Sequence, residues 1–318
     1  MAQNSPAHLD LVKRMNQKNI RNLLRQDSPK SIATLACQAS LSYPTVASLL
    51  KELMLKGEVI KSKNLESCGG RPGIQYELDI RFQHGLMLYF KELSLIGKVY
   101  NVYGQVVEEY IKEVSSELTI DTVIGLVTAI RNKYPRITVI SIGIPGVVKD
   151  NNILSLPRFP KLQGIQLGQK LIAMFQAEVF MENDLNAIAM AEIKENHCFA
   201  HIAYSKGCIG TGIAINGEVY TGYSGYAGEL EYLFKDTNDL EDNLMTCILS
   251  LICVFNQPFI YLSGEEITEN LANTITNRLK ERIPLERIPQ IQVKGDLDSK
   301  YEEGLRKRIL QYWDNKID

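Results

Sequence analysis

The sequence predicts an α/β chain of two unequal parts, a helical N-terminal segment ending in a short hairpin and a larger body of two sheet-containing lobes. The hydrophobic spacing runs at three and four residues to about residue 56, then changes from Gly85 onward to the alternating, β-branched runs of strands. Charge divides near the same place: residues 1–83 carry twelve Lys and Arg against seven Asp and Glu, a net +5, and the remainder carries −7. Size agrees, because 318 residues with 45% hydrophobic and 23% charged side chains form an ordinary globular composition, enough for about two domains and unlike a disordered or fibrous chain. The expected division is 1–80 and 81–318.

In the N-terminal part, Leu11, Val12, Met15, Ile20, Leu23 and Leu24 predict an amphipathic helix over 10–25, with Lys13, Arg14, Lys18, Arg21 and Arg25 mostly on another face. Ser28-Pro29 ends it. Ser31 begins a short second helix with Ile32, Leu35 and Ala36 inward, and Ser42 begins a third, with Pro44 in its first turn, that runs to about Lys56. Burying Val46, Leu49, Leu50 and Leu53 turns Tyr43, Thr45, Ser48 and Lys51 outward, small or hydrogen-bonding groups able to enter a major groove. Gly57 stops this helix. A strand over 58–62, a turn at Cys68-Gly69-Gly70-Arg71-Pro72-Gly73 and a returning strand over 74–78 complete a winged helix-turn-helix. Each feature alone is that of any helix packed on a core. Together with the basic charge they make operator DNA the expected partner, read by Ser42, Tyr43, Thr45, Ser48 and Lys51, with Arg71 at the wing tip on phosphates or an adjacent minor groove.

The body opens with an antiparallel meander over 86–90, 95–102 and 105–110, then a helix over 120–131 and a strand over 137–144 that ends in Pro145-Gly146. A strand over 178–182 runs into Asn183-Asp184 and a helix over 185–195. By spacing alone that polar pair is two helix-capping residues. Strands over 199–204 and 209–215, the Asn216-Gly217 hairpin, and Gly222, Gly225 and Gly228 ahead of Glu229 then crowd glycines into one stretch. Such density marks close approach of backbone to a ligand or to another segment. Helices over 243–255, 265–282 and 300–313 alternate with strands over 258–262 and 290–293. Two lobes of this kind enclose a cleft near Gly146, Asn183, Asp184 and Glu229.

No stretch approaches the ~18 uncharged apolar residues of a membrane span, and residues 1–10 are polar, so a cytoplasmic protein without a membrane partner is expected. Cys37, Cys68, Cys198, Cys208, Cys247 and Cys253 include no C-x-x-C pair and read as free thiols. His197 and His201 stand four apart without a third ligand nearby and are expected to be partly exposed. No metal and no cofactor is expected.

Four strings in this order resemble the ROK proteins (repressor, open reading frame, kinase), in the branch that fuses a winged helix to a sugar-kinase-like domain. They are Gly69-Gly70-Arg71-Pro72-Gly73, Gly143-Ile144-Pro145-Gly146-Val147-Val148, Glu182-Asn183-Asp184-Leu185-Asn186-Ala187 with Ala191-Glu192, and residues 215–222 leading to Ala227-Gly228-Glu229. The resemblance spans nearly the whole chain. It implies a two-lobed actin/hexokinase-like (ribonuclease H-like) fold in which Asn183, Asp184 and Glu229, beside Gly146, hold sugar hydroxyls, and in which Asp184 is the base in kinase members. It also implies a homodimer or a dimer of dimers.

The departures from the family pattern are as informative. Kinase members open the first hairpin with an acidic residue, two glycines and a threonine; here the stretch is Tyr89-Phe90-Lys91-Glu92-Leu93. The second phosphate loop reads Lys206-Gly207-Cys208-Ile209-Gly210-Thr211-Gly212 where the family starts Gly-Thr-Gly. Gly228-Glu229-Leu230-Glu231-Tyr232 lacks the histidine and the cysteines that hold zinc in many members, and Tyr232 takes the histidine's place on the sugar. The expectation is a sugar-responsive repressor of carbohydrate metabolism with no catalytic residue. The alternative is an ATP-dependent sugar kinase carrying a DNA-binding segment.

Overall fold

The computed structural model describes residues 6–62, 74–205, 207–234 and 239–315. In the N-terminal part, Pro6–Gln26 (α1), Ile32–Ala39 (α2) and Tyr43–Leu55 (α3) surround a small sheet of Lys30–Ser31 (β1), Val59–Lys61 (β2) and Gln75–Leu78 (β3), ordered β1-β3-β2. Both serine caps form: Ser31 Oγ accepts the Thr34 N–H at 3.1 Å and Ser42 Oγ accepts the Thr45 N–H at 3.3 Å. Each satisfies a donor the first helical turn leaves unpaired, worth about 1 kcal/mol. Val46, Leu49, Leu50 and Leu53 close the core against Ile20, Leu24 and Leu35. The first half of α1 departs from expectation, because that core reaches the helix only from Ile20 onward, leaving Leu11, Val12 and Met15 exposed. Arg21 grips the buried Glu58 with both arms, Nε to Oε2 at 2.6 Å and Nη2 to Oε1 at 3.0 Å, fixing α1 to the start of β2.

The first lobe begins with His84–Lys91 (β4), Ser94–Tyr100 (β5) and Val106–Glu113 (β6), a meander followed by Ile120–Lys133 (α4) and Ile137–Ile144 (β7). Val147–Lys149 (β8) and Asn152–Ser155 (β9) form a small hairpin, and Leu167–Phe175 (α5) leads to Glu178–Asn183 (β10) and Asp184–Glu192 (α6). The sheet order is β10-β7-β4-β5-β6, with β10, β7 and β4 parallel. The second lobe repeats the plan: Phe199–Ser205 (β11), Cys208–Ile215 (β12) and Glu218–Val219 (β13) form the meander, followed by Leu240–Phe255 (α7), Phe259–Ser263 (β14), Glu269–Lys280 (α8) and Gln290–Val293 (β15). Its order, β13-β12-β11-β14-β15, again places two parallel strands beside the first strand of a meander.

Each lobe keeps its own core, one around Leu86, Ile140 and Phe159, the other around Ile202, Ile248 and Leu262. The last helix, Leu297–Asn315 (α9), returns to the first lobe, where Leu305, Ile309 and Trp313 pack with Met87, Val139 and Ala187. Two helices are shorter than their apolar pattern: α6 stops at Glu192 and α8 starts only after Thr268, whose Oγ1 accepts the Leu271 N–H at 3.2 Å. Among the described residues no helix is long and apolar enough to cross a membrane.

Candidate functional site

Parallel pairing of β7 with β10 sets Ile144 opposite Asn183, so the Pro145-Gly146 loop and the first turn of α6 emerge side by side. Asn183 joins them. Its Oδ1 caps α6 by accepting the Asn186 N–H at 3.1 Å, and its Nδ2 donates to the Gly146 carbonyl at 3.0 Å. Gly146 has no room for a side chain, since a Cβ would lie 2.3 Å from the Ser155 carbonyl oxygen. The half-buried Asp184 accepts its neighbour's N–H, from Leu185, at 2.9 Å; burial outweighs that bond and pushes the carboxyl up to about 6.

The second lobe brings Glu229 to the same place. Gly228 holds φ +95°, and a Cβ added there would lie 2.3 Å from the Thr211 carbonyl oxygen, one at Gly225 2.8 Å from the Val148 carbonyl oxygen and one at Gly212 2.3 Å from the Leu185 carbonyl oxygen. The glycine density therefore lays the second lobe's backbone directly against the first. Glu229 is pushed up to about 7, by burial first and then by the charges of Glu231 and Asp184. Two carboxyls, an amide and a backbone carbonyl form a set of acceptors and donors of the kind that suits hydroxyl groups. Tyr232 does not join it, being 71% exposed.

A carboxyl raised in the folded state binds its proton more tightly there than in the unfolded chain. Its effect on stability is therefore unfavourable as pH rises from about 4 through 7. Glu229→Gln should match wild type at pH 4 and exceed it by about 1 to 2 kcal/mol at pH 8, discounted for partial solvent access. Parallel pH–stability curves for the two proteins would contradict the burial that raises Glu229.

Hairpin β4–β5 is tied to α9 at the lobe's edge. The Tyr89 hydroxyl donates to Glu302 Oε1, Lys98 Nζ reaches both Glu302 oxygens at 2.8 Å, and Lys91 Nζ lies 2.5 Å from Asp298 Oδ2. Glu92 turns the hairpin at φ +52°. Lys206 falls outside the described residues. Among those described, no group of three or more His, Cys, Asp or Glu could hold a metal ion.

On α3, Ser42, Tyr43, Thr45, Ser48 and Lys51 are all exposed. The Ser42 and Thr45 hydroxyls lie 2.8 Å apart within the helix cap, which commits Ser42 to holding the first turn. Arg71, with the whole turn Cys68-Gly69-Gly70-Arg71-Pro72-Gly73, lies outside the described residues.

His201 corrects an expectation. It is wholly buried, with Nδ1 2.7 Å from Glu192 Oε2 and Nε2 2.8 Å from Ser263 Oγ. The connectivity is that of a serine–histidine–carboxylate relay, but Ser263 is 1% exposed and meets no substrate, so the network ties α6 to β11 and β14. A histidine inside the apolar run 199–204 was the available signal. His197 is exposed, and the five described cysteines are free.

Two like lobes make a mixed α/β, sugar-kinase-like fold. Residues 99–247 match the model of the ROK family. It is similar to the xylose repressor of Bacillus subtilis (strain 168), 27% identical over 240 residues that cover 71% of this chain and 62% of that one. It is also similar to the DNA-binding transcriptional repressor Mlc of Escherichia coli (strain K12), 24% identical over 207 residues, 60% of this chain and 50% of the other. The matches thus span about three fifths or less of these curated relatives. Among solved structures, a ROK family transcriptional regulator homologous to the E. coli MLC protein superposes with a TM-score of 0.67, at 16% identity, covering 94% of this chain and 96% of its own. The ROK hexokinase of Thermus thermophilus superposes at 0.55 and 16% identity, covering 73% of this chain and all of its own.

Proposed function

We propose that this chain is a sugar-responsive, DNA-binding repressor of carbohydrate metabolism without kinase activity. The observation that carries it is the contrast between Asn183, Asp184 and Glu229, gathered at the lobe junction, and a first hairpin whose Tyr89 and Lys91 are spent on α9. A phosphate loop needs backbone N–H groups exposed by small residues and a carboxylate for the metal. Tyr89-Phe90-Lys91-Glu92 has no small residue, carries Tyr89 where the carboxylate would stand, and adds like charge with Glu92. The names of the relatives support the same reading. The kinase alternative rests on Asp184 alone, and a carboxylate that accepts from a hydroxyl binds sugar whether or not it later takes the proton.

In this reading residues 1–80 are a winged helix-turn-helix domain, with α3 as the recognition helix and Arg71 on the wing, and 81–318 are a sugar-binding, dimerising body with actin/hexokinase-like, ribonuclease H-like lobes. Two copies present two recognition helices to a two-fold operator, as a dimer or a pair of dimers. Helix α9 is the connection between site and DNA. Its middle lies beside α6, where Gly304 faces the Ala187 backbone, and about 15 Å further along its axis Asp314 pairs with Arg25 of α1 at 2.7 Å. Arg25 also donates to the Val102 carbonyl at 2.9 Å. A sugar that draws Asp184 and Glu229 together shifts α6 and with it the far end of α9.

Genomic fragments selected on the purified protein test this. Thr45→Ala or Ser48→Ala should reduce discrimination between the selected site and a scrambled one by about 1 kcal/mol or more, whereas Arg71→Ala should weaken both and lower the salt dependence. Equal losses of discrimination in all three would contradict the placement of the wing, and no selected fragment at all would contradict the function.

A further inference from the structure

Resting on the carbohydrate reading of the site, we infer that Tyr301 of α9 is a ligand contact and that the effector is a neutral, unphosphorylated sugar. Tyr301 is 8% exposed, and its hydroxyl has no hydrogen-bond partner within the protein. A buried phenol without a partner is costly and is rarely kept without use. Gly143 receives it: a Cβ there would stand 2.1 Å from Tyr301 Oη, so the glycine makes room for the hydroxyl at the strand end that leads to Gly146. The ring is braced edge-on by Tyr89, centroids 5.5 Å apart at 74°. Gly143 pairs with Glu182, two residues before Asp184, so the hydroxyl lies at the strand ends from which Asp184 emerges and is not bonded to it. A ligand hydroxyl between them donates to Asp184 and accepts from Tyr301, which completes both.

The same surroundings disfavour a phosphate ester. The charges acting on Glu229 are those of Glu231 and Asp184, and Tyr301 is followed by Glu302 and Glu303. The nearby cations are already engaged, Lys98 by Glu302 and Lys91 by Asp298. A phosphate dianion brought here meets carboxylates and a phenol where a phosphate site presents guanidinium groups or free N–H groups.

Titration calorimetry on the full chain with D-xylose, D-glucose, N-acetyl-D-glucosamine and D-glucose 6-phosphate tests the inference. At least one neutral sugar should bind, glucose 6-phosphate should bind at least tenfold more weakly than that sugar, and Tyr301→Phe should weaken the neutral sugar about tenfold. Because the hydroxyl has no partner in the protein, the ligand-free variant should melt no lower than wild type. Binding by Tyr301→Phe within twofold of wild type, a lower melting point of the free variant, or preference for the phosphate ester would overturn the inference while leaving the carbohydrate reading in place. No binding by any of the four would overturn both.

Discussion

Gly304→Ala should lower the unfolding free energy by about 2 to 3 kcal/mol, although alanine is the better helix former by about 1 kcal/mol. The sign is decided by contact. A Cβ at position 304 would lie 1.8 Å from the Ala187 carbonyl oxygen and 2.5 Å from its carbon, backbone atoms of α6 that no rotamer change can move. Helix α9 must then lift from α6 and loosen Leu305, Ile309 and Trp313 in the shared core. Since α9 also carries Asp314 to Arg25, the same substitution should blunt the effect of sugar on DNA binding. Urea denaturation checks the first part; a loss below 1 kcal/mol would mean that the two helices are not in this close register.

Asp184→Asn should weaken sugar binding by about 10- to 100-fold, the range of a charge-assisted hydrogen bond of roughly 1.5 to 3 kcal/mol. It should not cost folding stability at pH 8. Holding the charge in this half-buried place is already unfavourable, as the rise to about 6 records, and asparagine can still accept the Leu185 N–H. Operator affinity without sugar should therefore survive while the response to sugar disappears. Calorimetry and a mobility-shift titration on the same preparation separate the two effects; unchanged sugar affinity would remove Asp184 from the site.

Local patterns made most of this architecture legible. Residues 137–144 and 290–293 become β7 and β15 with those bounds, the first as a mostly apolar run ending at Pro145-Gly146 and the second as an alternating Gln290-Ile291-Gln292-Val293 between Pro289 and Gly295, and the inward face of α3 follows from spacing at three and four. The β8–β9 hairpin escaped notice because its turn places Asp150 and Asn151 at φ +49° and +60° without the glycine that ordinarily signals such a turn. Helix α5 begins at Gln166 without a side-chain cap bond and so offers no start signal. Asn183 and Asp184 stand out in the sequence as a polar pair at a strand-to-helix junction, which spacing alone reads as caps, and Glu229 as the end of a glycine-rich stretch. Tyr301 is not marked: it reaches Gly143 across 158 residues of chain, and nothing in a helix of mixed charges singles out one tyrosine as buried against that glycine. The burial of His201 is signalled by the apolar run around it, but its partners Glu192 and Ser263 are not, because only the packing of α6 and β14 brings them together.

Fluorescence anisotropy on a selected operator fragment, titrated with the neutral saccharide that binds in calorimetry and repeated with and without Mg-ATP, tests the whole account. It predicts release from the operator by at least tenfold in affinity, a coupling of about 1.4 kcal/mol, identical in the two conditions and without any sugar phosphate formed. Formation of sugar phosphate from ATP, abolished by Asp184→Asn, would contradict it.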